Sequence, residues 1–448
     1  MRNLLNGSSP STRRKSGMRF FKSIGSTGLF AITLLTGCGG NKTSLIVPDP
    51  SATIGLPTPA AAGPVNTYTG AQSPGEWTLT LDNTNGKFSY QPVTYPATAT
   101  SGTITTSNGF TVLSTGGLAL EVEGRATILR PGSVTEPVVF TVPQTECYPI
   151  TGRVRFQYLA MPVSPARGIG SSAGPTVGYG GISASTDSTG SSWQFADMEG
   201  NVVSGPTSFT GTCSISNGEA AISFTGQQSI LDDLWASTAA ITADTQSNIW
   251  VGPSGFFVAD QSDPNATGQL GASVVGVAEP LSALTTKDVA SKSYLGFLYE
   301  TATIASTSYN AAADANTVPV SFGPTTTSGT TSITGGEFPS STQFPGGDVT
   351  QTPNSDTIIN LGTQSATYNG LYSSVSITVL DPAQNCANYQ GLGKTATSGV
   401  NADGYITCTF AGVAVVGKPE SKYALFISAY NWAARLGGAP MQIYLLQQ

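Results

Sequence analysis

The chain contains no histidine. That absence removes the usual general base near neutral pH, the Ser–His and Cys–His dyads of covalent hydrolases, and every imidazole metal site. Charge is scarce too: Asp, Glu, Lys and Arg make up 10% of the residues, against a usual quarter. No Gly-x-Gly-x-x-Gly fingerprint, P-loop or Ser-x-x-Lys dyad occurs. Gly170-Ser171-Ser172-Ala173-Gly174 matches the Gly-x-Ser-x-Gly pattern of hydrolase elbows. Without a histidine to activate Ser172, and in a Gly/Ser-rich loop instead of a strand-to-helix turn, the match reads as accidental.

Carboxylate chemistry survives these exclusions, because glycoside hydrolysis needs only two acids flanking one bond. The close pairs are Glu121 with Glu123, Asp197 with Glu199, and Asp232 with Asp233. Residues two apart on a strand share a face, so Glu121 and Glu123 are expected on one surface, most simply a solvated one. Five tryptophans in 448 residues are few for a sugar-processing cleft. The turns Asp82 to Gly86, Asp260 to Gly268 and Asn401-Ala402-Asp403-Gly404 carry oxygen side chains but lack the spaced ligands and terminal acid of a calcium loop. No cofactor and no metal are expected.

Long apolar runs are missing except near the start. Arg13, Arg14, Lys15, Arg19 and Lys22 precede an apolar stretch from Ile24 to Leu35, and Leu35-Thr36-Gly37-Cys38 follows it. Positive charge, an apolar segment and small residues before a cut are the three parts of a secretory signal. The four-residue box resembles that of bacterial lipoproteins. The resemblance covers about the first forty residues and implies cleavage between Gly37 and Cys38, acylation of Cys38 through its sulfur, and anchoring by several acyl chains, which hold stably where one is marginal. It therefore names the membrane as a partner, through lipidated Cys38. Met18 opens a compact signal of its own and is an alternative start. Gly39 stands where an inner-membrane lipoprotein of enteric bacteria carries aspartate, so the resemblance favours the outer membrane, on a periplasmic or surface face. An uncleaved span is disfavoured, because Ser, Thr and Gly dilute the stretch below what roughly 20 apolar residues would provide.

All charges before Cys38 are basic, so the chain from Cys38 onward keeps 13 basic against 26 acidic residues, a net charge of −13. Nucleic acid and anionic membrane faces both demand a basic surface and are excluded as partners. Five cysteines become four once Cys38 carries lipid. Four suit two disulfides in an oxidising compartment, and no Cys-x-x-Cys spacing points to metal. Of three possible pairings the sequence-local one is favoured: Cys147 with Cys213, and Cys386 with Cys408.

The dominant period from Trp77 onward is two. Trp77, Leu79 and Leu81 alternate with threonines, Asp82-Asn83-Thr84-Asn85-Gly86 makes a turn, and Phe88 and Tyr90 resume the alternation. Val154, Phe156 and Tyr158 alternate with Arg153, Arg155 and Gln157, which puts both arginines on a wet face. Tyr423 to Ile427 is a continuous apolar run, the pattern of a strand covered on both sides. Helix signals are few: capping boxes at Ser229-Ile230-Leu231-Asp232 and Thr285-Thr286-Lys287-Asp288.

An internal echo bears on the organisation. Val251-Gly252-Pro253 leads into Gly255-Phe256-Phe257-Val258, and Gly271-Ala272 opens a final apolar run; Val416-Gly417-Lys418-Pro419 leads into Tyr423 to Ile427, and Gly438-Ala439 opens another. Each is read as the closing strand pair of its own β-unit. The expected fold is all-β, with two barrel- or sandwich-like units of short antiparallel strands after a disordered tether. The boundaries are a signal at 1–37, an anchor and flexible Pro/Thr/Ala-rich tether at 38–75, a first β-domain at 76–280, a linker at 281–293 and a second β-domain at 294–448. The functional expectation is a non-catalytic, lipid-anchored cell-envelope lipoprotein whose β-domains bind an unidentified envelope ligand or protein, or serve structurally. The alternative is a surface-tethered carbohydrate-active hydrolase using paired carboxylates.

Overall fold

The computed structural model describes residues 55–56, 63–72, 75–92, 99–132, 138–161, 179–200, 209–216, 219–224, 247–260, 273–304, 308–315, 320–327, 330–334, 336–339, 356–382, 395–396, 405–419, 422–430 and 441–448. The fold is all-β, as the period-two pattern requires. Eight strands form a first closed antiparallel barrel: β1 (Val65–Gln72), β2 (Gly75–Asp82), β3 (Lys87–Pro92), β4 (Thr100–Ser107), β5 (Phe110–Leu113), β6 (Leu118–Val122), β7 (Ala126–Arg130) and β8 (Val139–Val142), with β8 returning to pair β1. A second closed barrel comprises β9 (Val154–Met161), β10 (Tyr179–Thr186), β11 (Ser192–Gly200), β12 (Phe209–Ser216), β13 (Glu219–Phe224), β14 (Ser247–Val251), β15 (Phe256–Asp260) and β16 (Ser273–Ala278), closed by β16 on β9.

The remainder is an open sheet. After the one-turn helix α1 (Thr286–Val289) come β17 (Ser293–Ile304), β18 (Ser308–Ala315), β19 (Val320–Ser321), the hairpin β20 (Gly323–Thr327) with β21 (Thr330–Thr334), β22 (Gly336–Pro339), β23 (Asp356–Asn360), β24 (Leu371–Pro382), β25 (Thr395–Ala396), β26 (Tyr405–Gly417), β27 (Ala424–Tyr430) and β28 (Met441–Gln447). The sheet runs β18-β17-β28-β27-β26-β24-β23-β22, with β19 and β25 as side pairs.

Local chemistry sets the hairpins. At the β2–β3 turn the Asp82 carboxylate accepts from the Asn85 backbone N–H at 2.9 Å and from Asn85 Nδ2 at 2.8 Å, an Asx arrangement that closes the loop. Asn108 and Gly109, at φ 51° and 83°, join β4 to β5. Two consecutive left-handed residues make the type I′ turn, whose twist matches the strands.

The stretch read as one β-domain, 76–280, thus divides into two barrels, and the first begins inside the stretch read as tether. Short strands give the same alternating signal in both barrels, and the connection between them, residues 143–153, is ordered and partly buried, unlike a linker. Residues 281–293 are not a free linker either: Leu284 and Val289 are buried in the core of the open sheet. The expected capping box at 285–288 is present, with Thr285 N–H donating to Asp288 Oδ2 at 2.6 Å, and Tyr423 O–H reaching Oδ1 at 3.2 Å. The box at 229–232 lies outside the described residues. The echo does mark closing strands, since β16 pairs with β9 and β28 with β17, the first strand of each unit.

Side-chain alternation sorts the apolar residues into four cores. Tyr68, Leu79, Leu81, Phe88 and Leu129 fill the first barrel, Phe156, Tyr158, Trp193, Ile222 and Val274 fill the second, and Tyr294, Ile377, Leu425 and Ile427 cover one face of the open sheet. The fourth core lies between the three sheets and takes the opposite face of the same strands, including Ile128, Phe140, Phe256, Val275, Phe426 and Tyr444. At its centre one phenylalanine from each sheet meets the others: Phe140 to Phe426 at 4.8 Å, Phe140 to Phe256 at 5.5 Å and Phe256 to Phe426 at 6.2 Å between ring centroids. The run from Tyr423 to Ile427 is therefore covered on both sides. Truncation Phe426→Ala should cost about 3–5 kcal/mol, read as a lower urea midpoint. Ile215→Ala, at a site 60% exposed, should stay within about 0.5 kcal/mol.

Candidate functional site

One set of polar contacts lies at the end of the barrels where the chain passes from the first to the second; at the opposite end of the first barrel the buried Arg130 donates to the Gly116 carbonyl at 2.8 Å. Residues 143–153 cross the end of the second barrel and bond into it. The Ala220 N–H donates to the Gln144 backbone carbonyl at 2.7 Å, and the Val251 N–H donates to Gln144 Oε1. Tyr148 O–H donates to the Val251 carbonyl, and its ring meets Trp193 edge to face at 5.8 Å. Burial pushes the Tyr148 hydroxyl well above its ordinary range, with Glu146 adding in the same direction. Trp193 Nε1 donates to the Gly190 carbonyl at 2.9 Å. A disulfide, Cys147–Cys213, ties this plug to β12 across a Cα–Cα distance of 5.8 Å.

At the same end of the first barrel, Glu121 lies beside Tyr68. Its carboxylate accepts from Tyr68 O–H, from Asn66 Nδ2 at 3.3 Å and from Asn83 Nδ2 at 3.2 Å, and the Gly124 N–H donates to the Tyr68 oxygen at 2.9 Å. Burial raises the Tyr68 hydroxyl pKa far above normal, and the Glu121 charge raises it further. Three neutral donors around the Glu121 carboxylate make a structural lock, and none of these partners is a second acid. Glu123 is exposed in the β6–β7 turn, just past the end of the strand. The strand stops between the two acids, so they do not share a face as the spacing predicts.

A third polar contact joins the second barrel to the open sheet. Arg155 Nε lies 2.7 Å from Glu279 Oε2, and its guanidinium sits 5.7 Å from the Tyr368 ring centroid. Glu279 Oε1 accepts from the Asn369 N–H at 3.0 Å. Burial raises the Glu279 carboxyl pKa, with the Asn369 bond and the Arg155 charge working against it. The alternation around Val154 places Arg155 on the outer face, where its side chain keeps 40% of its surface in solvent while it pairs with Glu279, which is 5% exposed. Arg153, before the strand, is exposed.

The other expected residues fall as follows. Gly37 and Cys38 lie outside the described residues, as do Ser172, Asp232, Asp233 and Cys386. Cys408 stands on β26 opposite Val379 and Ala396, and its side chain is outside the described set. Asp197 and Glu199 sit on β11 across a register shift, where Ile182 faces Asp197 and Gly181 faces Glu199. Among the described residues no group of three or more Cys, Asp or Glu is placed to hold a metal. Of the described residues inside the barrels, Tyr68, Leu79, Leu81, Trp193 and Ile222 have no accessible surface.

Gln144 and Trp193 carried no signal in the sequence, because their partners are distant in the chain. Asp187 did: Asp187-Ser188-Thr189-Gly190 is turn chemistry. Its Oδ1 accepts from Thr189 N–H at 3.0 Å, Thr189 O–H at 2.9 Å and Ser191 N–H at 3.1 Å, while Oδ2 accepts from Ser191 O–H at 3.0 Å. Desolvation pushes this carboxyl upward, but the Thr189 and Ser191 bonds outweigh it and hold the pKa at about 2. A depressed folded pKa gives stability above the unfolded value that is lost as pH falls through the folded one. The stability gap between the native chain and Asp187→Ala should therefore shrink from about pH 4 to about pH 2, measured by urea midpoints. The disulfide closes a loop of 66 residues; replacing both Cys147 and Cys213 by serine should cost about 4 kcal/mol, measured by denaturation without reductant.

No family model and no curated protein sequence matches the chain. Among solved structures it is similar to transferrin binding protein B from serogroup B Neisseria meningitidis, at 10% identity and a TM-score of 0.23, covering 84% of this chain and 66% of that one. A double mutant of transferrin binding protein B from Haemophilus parasuis gives 8% identity and a TM-score of 0.26, covering 86% and 76%. A protein of unknown function from Nostoc punctiforme gives 8% and 0.18, covering 66% and 96%. At these scores the likenesses carry no argument about activity or partner.

Proposed function

We propose that this chain is a cell-envelope lipoprotein, anchored through acylated Cys38, that acts by binding a partner on a rigid β-scaffold and not by catalysis. The observation that supports binding is the asymmetry of the second barrel. One end has short connections, at 187–191, 217–218 and 252–255, beneath the plug; the other receives 162–178, 201–208, 225–246 and 261–272. Variable connections on a fixed scaffold are where recognition concentrates. With Tyr68, Leu79, Leu81, Trp193 and Ile222 packed inside the barrels, recognition is assigned to the surface. The hydrolase reading loses its support at Glu121, which is locked by neutral donors, and at Glu123, which sits apart from it.

The anchor rests on the Leu35-Thr36-Gly37-Cys38 box. No helix among the described residues is long and apolar enough to cross a membrane. Two measurements test the proposal. The intact mass of protein extracted from membranes should match a chain beginning at an acylated Cys38, and Cys38→Ser should abolish the acyl mass; an unprocessed mass overturns the anchor. Replacing residues 225–246 with a short turn should leave thermal stability unchanged and remove partner cross-links formed in intact cells. Undiminished cross-links with the fold intact overturn the assignment of binding to that rim.

A further inference from the structure

We infer that Asn108 is a site of slow covalent self-modification: its carboxamide closes on the Gly109 backbone nitrogen, releases ammonia, and leaves aspartate or isoaspartate in the β4–β5 turn. Neither the anchor nor the binding rim bears on this.

Five Asn-Gly pairs occur in the sequence, and Asn85-Gly86, Asn108-Gly109 and Asn369-Gly370 fall among the described residues. The pair is reactive because glycine puts no side chain in the path between its own nitrogen and the asparagine side-chain carbonyl carbon. The reaction also needs a carboxamide free to rotate and a following N–H free to lose its proton. The three turns meet these needs differently.

Asn369 fails both. Its Nδ2 donates to the Pro280 carbonyl at 2.8 Å, its own N–H donates to Glu279 Oε1 at 3.0 Å, and the Gly370 N–H, which would supply the nucleophile, donates to Gln364 Oε1 at 2.8 Å. Asn85 fails the first. The Asp82 carboxylate holds its Nδ2 at 2.8 Å and its N–H at 2.9 Å, and sets a negative charge beside the group that turns anionic during attack. Asn108 is exposed, and among the described residues neither its carboxamide nor the Gly109 N–H has a hydrogen-bond partner. The ladder closes at Ser107 with Phe110, so the two-residue turn leaves that N–H outside it. Asn108 is also held at φ 51°, a left-handed backbone that a residue with a Cβ adopts at a cost.

The atoms balance with water alone. The Gly109 nitrogen gives up its proton and bonds to Asn108 Cγ; the Cγ–Nδ2 bond breaks, and the amide leaves with that proton as ammonia. Water then opens the five-membered imide at either carbonyl and returns a proton to the nitrogen. One opening gives aspartate. The other gives isoaspartate, whose main chain runs through Cβ and Cγ and is one carbon longer.

The position of the turn gives that carbon a consequence. Phe110 follows directly, is fully buried, and meets Phe297 of the open sheet at 5.4 Å between ring centroids. A Cβ on Gly109 would lie 2.6 Å from Leu295 Cδ1, so the turn itself is pressed against β17. A longer main chain here cannot keep the tight turn and both contacts. Isoaspartate at this position therefore loosens the first barrel from the open sheet.

The test ages the full chain in mildly alkaline buffer, folded or unfolded in guanidinium chloride, and maps peptides by a method that separates isoaspartate from aspartate. In the folded chain position 108 should convert several-fold faster than positions 85 and 369, and faster still as pH rises; in the unfolded chain the three rates should converge. Position 85 or 369 keeping pace with 108 in the folded chain, or an unchanged ranking after unfolding, overturns the inference. Asn108→Asp supplies the new charge without the extra carbon and is aged alongside. Its urea midpoint should hold while that of the aged native chain falls; equal midpoints overturn the loosening.

Discussion

The junction of Phe140, Phe256 and Phe426 is the contact on which the architecture depends. Closing eight strands into a barrel buries one face of each strand and leaves the other to be dealt with. Here the outer faces of β7, β8, β15 and β16 are as apolar as the inner ones, and so is the facing side of β26, β27 and β28. Those surfaces can be hidden only against one another. At roughly 25 cal/mol for each Å² of apolar surface removed from water, a seam shared by three sheets is the largest reason for them to stay together. Each barrel has its own core, yet neither is finished as a soluble object without the seam.

The seam also decides which polar groups are tolerated. Glu279 is the buried group and is matched by the partly exposed Arg155 and by the Asn369 N–H. Gln157, two residues along the same strand, is fully buried, and neither its Nε2 nor its Oε1 finds a hydrogen bond among the described residues. An unpaired buried amide costs about 1–3 kcal/mol. The surrounding apolar area offsets it. A body of this kind is rigid, and its freedom to vary lies at the strand ends, which is where the tether, the plug and the long connections all meet it.

Much of the local structure was legible. The hairpin at Asp82 to Gly86, the closing strands marked by the two Val-Gly echoes, the double-sided strand at Tyr423 to Ile427 and the capping box at Thr285 to Asp288 all follow from side-chain periodicity and turn chemistry acting over a few residues. The Cys147–Cys213 pairing was legible as a choice among three. The site was less so. Glu121 and Glu123 look like a pair on paper, but the strand ends between them, and what surrounds Glu121 comes from Asn66, Tyr68 and Asn83, about 40 to 55 positions away.

Composition and period settle the class of fold, the absence of imidazole chemistry and the placement of most hairpins, because each is a property of neighbouring residues. Whether 76–280 is one unit or parts of two, whether Arg155 finds a partner in Glu279, and whether residues 55 and 56 belong to a free tether or to a barrel depend on which distant strand closes against which. A period of two states that a strand has two faces. It does not state what covers the second one, and in this protein the second face is where three sheets meet.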